Sequence, residues 1–123
     1  MNNQEIAVVY QWIANPGQAE ALKAIYRDVE KQMKETEPGA LKVDCYFDKS
    51  SNVLVVYDLF KDAEALGFHL GVTAQAHFPD LLKVATPGPF LFCGEVPDPM
   101  QQAAVGMGLN ATFAPRAFGF SRA

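Results

Sequence analysis

The most constraining stretch of this 123-residue chain runs from Asn52 to Leu70. Asn52-Val53-Leu54-Val55-Val56-Tyr57 is apolar and β-branched enough for a buried strand, which Asp58-Leu59-Phe60 continues. Lys61 makes a corner. Asp62 then stands where an N-cap belongs, its carboxylate able to accept from the exposed amides of a first helical turn. In the helix that follows, Leu66 and Leu70 share one face, and His69 lies about 60° to the side of Leu66. One of the chain's two histidines is thereby set at the edge of a buried stripe. It is the leading candidate for chemistry.

The segments on either side complete a pattern. Ile6 to Ile13 alternates as a strand, with Ile6, Val8, Tyr10 and Trp12 on one face and Ala7, Val9, Gln11 and Ile13 on the other. Asn15-Pro16-Gly17 ends it and predicts a helix with Asn15 as N-cap and Pro16 at the first helical position, where a missing N–H costs nothing. That helix runs to about Thr36, gathers Ala19, Leu22, Ile25, Tyr26, Val29 and Met33 on one face, and stops at Pro38-Gly39. Leu41, Val43, Cys45 and Phe47 alternate with Lys42, Asp44 and Tyr46 as a second strand. A polar hairpin from Asp48 to Asn52 leads into the return strand, Val53 to Phe60. Beyond His69, Gly71 weakens the helix, Pro79 must end or restart it, and Leu81, Leu82 and Val84 pack a last helical piece. Phe90 to Glu95 is a fourth strand. The order β-α-β-β-α-β is a split-βαβ, ferredoxin-like plan of the α+β class.

Composition narrows the partners. Ten Lys and Arg against fourteen Asp and Glu give a net charge of −4 with no basic run, which disfavours nucleic acid. No apolar run reaches the ~18 residues of a membrane span, so no membrane partner is expected. Met1-Asn2-Asn3-Gln4-Glu5 lacks the basic-then-apolar pattern of a signal peptide, and two distant cysteines suit reduced thiols, so the expected location is cytoplasmic. Residues 1–95 read as one domain. Residues 96–123 change character: they hold few charges, and Met100, Val105, Met107, Leu109, Phe113, Phe118 and Phe120 need cover on this chain or a neighbour's. A four-stranded sheet with helices on one face also leaves its other face bare, which predicts a homodimer closed sheet to sheet. Walker, G-x-G-x-x-G, H-E-x-x-H and C-x-x-C motifs are absent from the sequence, and no metal site is expected.

Three signposts occur together in this chain: Trp12-(two residues)-Asn15-Pro16-Gly17, Glu37-Pro38-Gly39-Ala40-Leu41, and Asp62-Ala63-Glu64-Ala65-Leu66-(two residues)-His69. In order and spacing they resemble the antibiotic biosynthesis monooxygenase family, including its quinol monooxygenase members, over about Ile6 to Glu95. The resemblance implies a dimeric α+β barrel, here with an extra C-terminal extension. The chain departs from many relatives at Phe60 (tryptophan there), at Asp58 (glutamate there) and in its longer tail. The haem-degrading branch carries a tryptophan near the position of His69, so the resemblance points to the cofactor-free branch.

That branch implies a reaction with molecular oxygen needing neither metal nor flavin: a small quinol or polyphenol is deprotonated, gives an electron to oxygen, and becomes a quinone. The protein has to hold the ring, exclude water and manage protons. An imidazole suits the proton work, which makes His69 the expected catalytic residue. Trp12, Phe60, Phe68 and Phe92 are the expected apolar walls, Tyr57 an orienting group, with Asp44, Asp58, Tyr10 and Tyr46 as further polar candidates, and His77 a second histidine facing the same space. The alternative is a non-catalytic dimeric barrel that binds an aromatic ligand or serves as an interaction module. A pocket holding His69 and a second polar group favours catalysis; a filled core with His69 in solvent favours the alternative.

Overall fold

The computed structural model describes residues 4–122; Met1 to Asn3, at the head of the stretch read for a leader, and Ala123, the last residue of the extension, lie outside the described residues. In chain order the elements are β1 (Ile6–Ala14), α1 (Ala19–Thr36), β2 (Ala40–Asp48), β3 (Val53–Phe60), α2 (Ala63–Phe68), a π-helical turn (His69–Thr73), α3 (Ala74–Val84), β4 (Ala85–Cys93), α4 (Asp98–Gly106) and β5 (Asn110–Ala114). The ferredoxin-like order is present, with one helix and one strand added.

The sheet runs β2-β3-β1-β4-β5. All neighbours are antiparallel except β4 and β5, which pair in parallel from Pro89–Asn110 to Cys93–Ala114. Register then fixes the inward face. Val8 pairs with Asp58 and Phe92, and Tyr10 with Val56 and Phe90, so these side chains point the same way. Val8, Tyr10 and Trp12 of β1 and Leu54, Val56, Asp58 and Phe60 of β3 are all buried. Leu22, Tyr26, Val29 and Met33 of α1 meet them as the stripe predicts. On the opposite face Val9, Val55, Tyr57 and Leu59 stay half-buried, and Ile13 and Leu91 are 40% and 39% exposed.

Several boundaries differ from the sequence reading. Asn15-Pro16-Gly17 is a turn with Gly17 at φ +78°, a conformation glycine adopts without strain, so α1 starts four residues after Asn15 with Gln18 at its N-cap. Leu41 is half exposed because an irregularity between Ala40 and Lys42 takes it out of the alternation. Pro79 lies inside α3 and does not end it. Its side chain is on the exposed face, where the carbonyl it deprives of a donor is open to hydration. β4 begins at Ala85, five residues before Phe90, and carries Pro87 and Pro89 beside a register shift in β1 between Tyr10 and Trp12.

The C-terminal extension supplies α4 and β5. Val96, Ala104 and Leu109 are buried, and Phe113 stacks on Phe92 with ring centroids 5.0 Å apart. Phe118 and Phe120 remain 91% and 82% exposed.

Candidate functional site

Two polar groups interrupt the apolar space between sheet and helices. The first is built by strand alternation, which turns Asp58 inward between Val56 and Phe60. A one-way chain of donors ends on it. Trp12 Nε1 donates to Tyr26 Oη at 3.1 Å, Tyr26 Oη to Tyr10 Oη at 2.9 Å, and Tyr10 Oη to Asp58 Oδ2 at 2.8 Å. The direction is set by its two ends, because an indole N–H can only donate and an ionised carboxylate can only accept. Burial pushes the Asp58 carboxyl up to about 6, against the lowering influence of nearby His69 and the Tyr10 hydrogen bond. Burial, followed by the Asp58 charge, raises Tyr10 well above the ordinary phenol range and Tyr26 likewise, so both phenols stay neutral.

The second group is His69 with Glu37. Asp62 caps α2, accepting from the Ala65 N–H at 2.9 Å, and the helix then widens into the π turn, whose Ala74 N–H reaches back five residues to the His69 carbonyl. Such turns recur at functional sites because they reset which side chains face inward. Here His69 and Thr73 both point into the core, His69 only 7% exposed and Thr73 fully buried. Both bond the same oxygen: His69 Nδ1 lies 3.0 Å from Glu37 Oε2, and the Thr73 hydroxyl donates to it in a short contact. A carboxylate accepts, so His69 carries its proton on Nδ1 and leaves Nε2 as the nitrogen available to a ligand. Glu37 reaches this position because Gly39 lets its turn press on α2: a Cβ on Gly39 would sit 2.5 Å from that of Ala65.

Between the two groups lies a cavity of about 50 Å³. Asp58 and His69 line it together with Tyr10, Trp12, Phe60, Phe90 and Phe92, while Met107 and Leu109 close it from the extension. In this state it has room for a few water-sized groups.

Of the residues singled out from sequence, His69, Trp12, Phe60, Phe92, His77, Tyr10 and Asp58 line this cavity, whereas Asp44 and Tyr46 do not. His77 Nε2 is tied to Gln32 Oε1 of α1 at 2.8 Å. Two expectations are corrected. Tyr57 is one residue out of phase with Asp58 and so lies on the other face of the sheet. Phe68 precedes His69 on the helix and is 46% exposed, bordering a separate groove with Glu37, Lys61 and Glu64. Glu37 was visible only as part of a turn signpost, and nothing in periodicity announced its burial. Among the described residues, no group of three or more His, Cys, Asp and Glu could hold a metal ion.

The profile of the antibiotic biosynthesis monooxygenase family matches residues 5–80, which spans β1 to most of α3 and includes Glu37, Asp58 and His69. The chain belongs to the antibiotic biosynthesis monooxygenase family. No curated protein matches the sequence. Among solved structures, MupZ from Pseudomonas fluorescens superposes with a TM-score of 0.84 at 20% identity, covering 98% of this chain and 96% of its own. That coverage extends into the C-terminal extension. A protein of Caulobacter crescentus described as an antibiotic biosynthesis monooxygenase gives a TM-score of 0.68 at 22% identity, over 77% of this chain and 92% of its own. SnoaB, a cofactor-independent oxygenase from Streptomyces nogalater, gives 0.64 at 14% identity, over 72% of this chain and 90% of its own. Identities this low speak for the fold. The family member described here keeps that fold and adds α4 and β5 along one edge.

Proposed function

We propose that this family member is a cofactor-independent monooxygenase that oxidises a small quinol or polyphenol with molecular oxygen. One observation carries the reading: a buried imidazole, bonded through Nδ1 to Glu37 and so with Nε2 left over, lines an aromatic-walled cavity. His69 takes the proton of a ring hydroxyl, and the resulting anion gives one electron to oxygen. The two radicals combine into a carbon-bound peroxide, which regains the proton from His69. Cleavage of the O–O bond, with loss of the ring hydrogen at that carbon, leaves a quinone oxygen and releases water. Both atoms of oxygen are accounted for, and all four electrons come from the ring. The rate gain rests on holding the ring dry and moving protons at fixed positions.

The reading includes a homodimer. Val9, Ile13, Val55, Leu59 and Leu91 form an apolar outer face that a second copy would cover. A cytoplasmic setting goes with it, since Cys45 and Cys93 are both free thiols. Among the described residues, no helix is long and apolar enough to cross a membrane.

The test is oxygen uptake with 1,4-naphthohydroquinone, corrected for its spontaneous oxidation, without added metal, flavin or nicotinamide. His69→Ala should lose about 10²- to 10⁴-fold in turnover, the usual worth of one proton-transfer group. His69→Gln, which keeps a polar side chain but cannot cycle a proton near neutrality, should lose as much while keeping the fold. Wild-type uptake matched by both variants would sink the reading and return His69 to a structural role.

A further inference from the structure

The donor chain from Trp12 has a directional consequence. Asp58 Oδ2 accepts from the Tyr10 hydroxyl, so while that bond is kept a proton on this carboxyl rides on Oδ1. Asp58 Oδ1 is buried and has no hydrogen-bond partner within the protein. Glu37 Oε1 shares that state but Glu37 lies outside the cavity lining, whereas Asp58 lines the cavity together with His69. A buried carboxyl with one oxygen satisfied by a three-member relay and the other left bare is costly unless something meets it.

We propose that Asp58 is a second ligand-contacting, proton-exchanging residue, whose Oδ1 bonds an oxygen of an uncharged aromatic ligand while His69 Nε2 engages the ligand from the other side. The inference rests on the reading that this cavity is the binding site, and not on the oxidation itself. A single carboxyl oxygen of this kind serves both ends of a quinol-to-quinone conversion. Ionised, Oδ1 accepts from a ring hydroxyl; protonated, it donates to a ring carbonyl. The reaction moves two protons, one from the hydroxyl and one from the ring carbon, and His69 alone accounts for the first. Burial keeps the protonated form accessible near neutrality, since the carboxyl sits at about 6.

The groups facing Asp58 are Tyr10 from β1, Tyr26 from α1, Cys45 from β2, His69 from the π turn with Glu37 behind it, and His77 from α3. Tyr10, Tyr26 and Cys45 are all pushed up by burial and stay neutral below pH 8, and a His69→Gln variant separates Asp58 from the imidazole that shares its cavity. The probe is 1-indanone, an uncharged aryl ketone whose oxygen can only accept. Its affinity is measured by calorimetry at about pH 5 and about pH 8 for the wild type, Asp58→Asn and His69→Gln.

The wild type should bind about fivefold more tightly at the lower pH, the worth of one hydrogen bond. His69→Gln should keep a pH dependence. Asp58→Asn, whose oxygen keeps the Tyr10 bond and whose NH₂ faces the cavity, should lose most of the dependence and bind more tightly than the wild type at the higher pH. In the unaltered protein, the infrared C=O stretch of the protonated carboxyl should shift when the ketone binds at the lower pH. An Asp58→Asn variant with wild-type affinity at both pH values, an unmoved stretch, or no binding to any of the proteins overturns the proposal. A wild type that binds the ketone as expected yet consumes no oxygen sinks the oxidation alone.

Discussion

At the scale of single residues, Asp58 ties stability to pH. An unfolded aspartate titrates near 4, while burial in the fold raises this one to about 6. The fold therefore binds the proton more tightly than the unfolded chain. The stability this contributes is fully present below about pH 4 and is lost as pH rises through about 6. At neutral pH the protein carries a buried charge at a cost of up to roughly 3 kcal/mol. Asp58→Asn is neutral throughout and keeps an acceptor for Tyr10. It should raise the melting temperature by several degrees at about pH 7.5 and by less at about pH 4.5. Equal losses at both would show that the Tyr10 bond outweighs the charge. The sequence half-disclosed this site. Leu54, Val56, Asp58 and Phe60 form an inward series in which one carboxylate stands out, but the pattern of β3 alone reads equally well with Tyr57 inward. The phase is decided by pairing across the sheet, which a single strand does not carry. Glu37 was less legible still, since its partners lie 32 and 36 residues away.

Among elements, the π turn and Gly39 together decide where the imidazole sits. Asp62 was readable as a cap because its signal is local, a carboxylate followed at once by an apolar helix. The π turn was not, because the partner of its two inward polar side chains, Glu37, comes from the far-off end of α1. β5 was hidden for a related reason: Asn110-Ala111-Thr112-Phe113-Ala114 is short and weakly alternating, and becomes a strand by pairing with β4. Gly39→Ala should place a methyl group against Ala65 and cost about 1–3 kcal/mol by overpacking. Ala65→Gly in the same chain removes the opposing methyl and should recover most of the loss. Thermal denaturation of the four proteins in that cycle measures the coupling, and strict additivity would show that the contact is not what positions the turn. The substitution should also lower turnover, because Glu37 moves with Gly39 and His69 with Glu37.

For the whole molecule, the question is what covers each face of the sheet. The inner face is closed by α1, α2, α3 and the Met107–Leu109 corner of the extension, so removing residues after Glu95 exposes Phe92 and unroofs the cavity. That truncation should melt lower or aggregate, and an unchanged melting temperature would show the extension to be dispensable to the fold. The outer face is a different case, because no helix among the described residues packs across its half-buried Val9, Val55 and Leu59. Val9 pairs with Tyr57 and Leu91 near its centre. A lysine there can extend its amine into water in a monomer, so Val9→Lys should fold with nearly unchanged stability. Between two packed sheets the same amine would be buried without a partner, at a cost of several kcal/mol for each copy. Sedimentation should therefore find the wild type at twice the 13.5 kDa chain mass at micromolar concentration and Val9→Lys at the single-chain mass. A wild type that sediments as one chain would leave the outer face without its proposed cover and remove the homodimer from the functional reading. A Val9→Lys dimer would place the contact elsewhere, with the exposed Phe118 and Phe120 as the next surface to substitute.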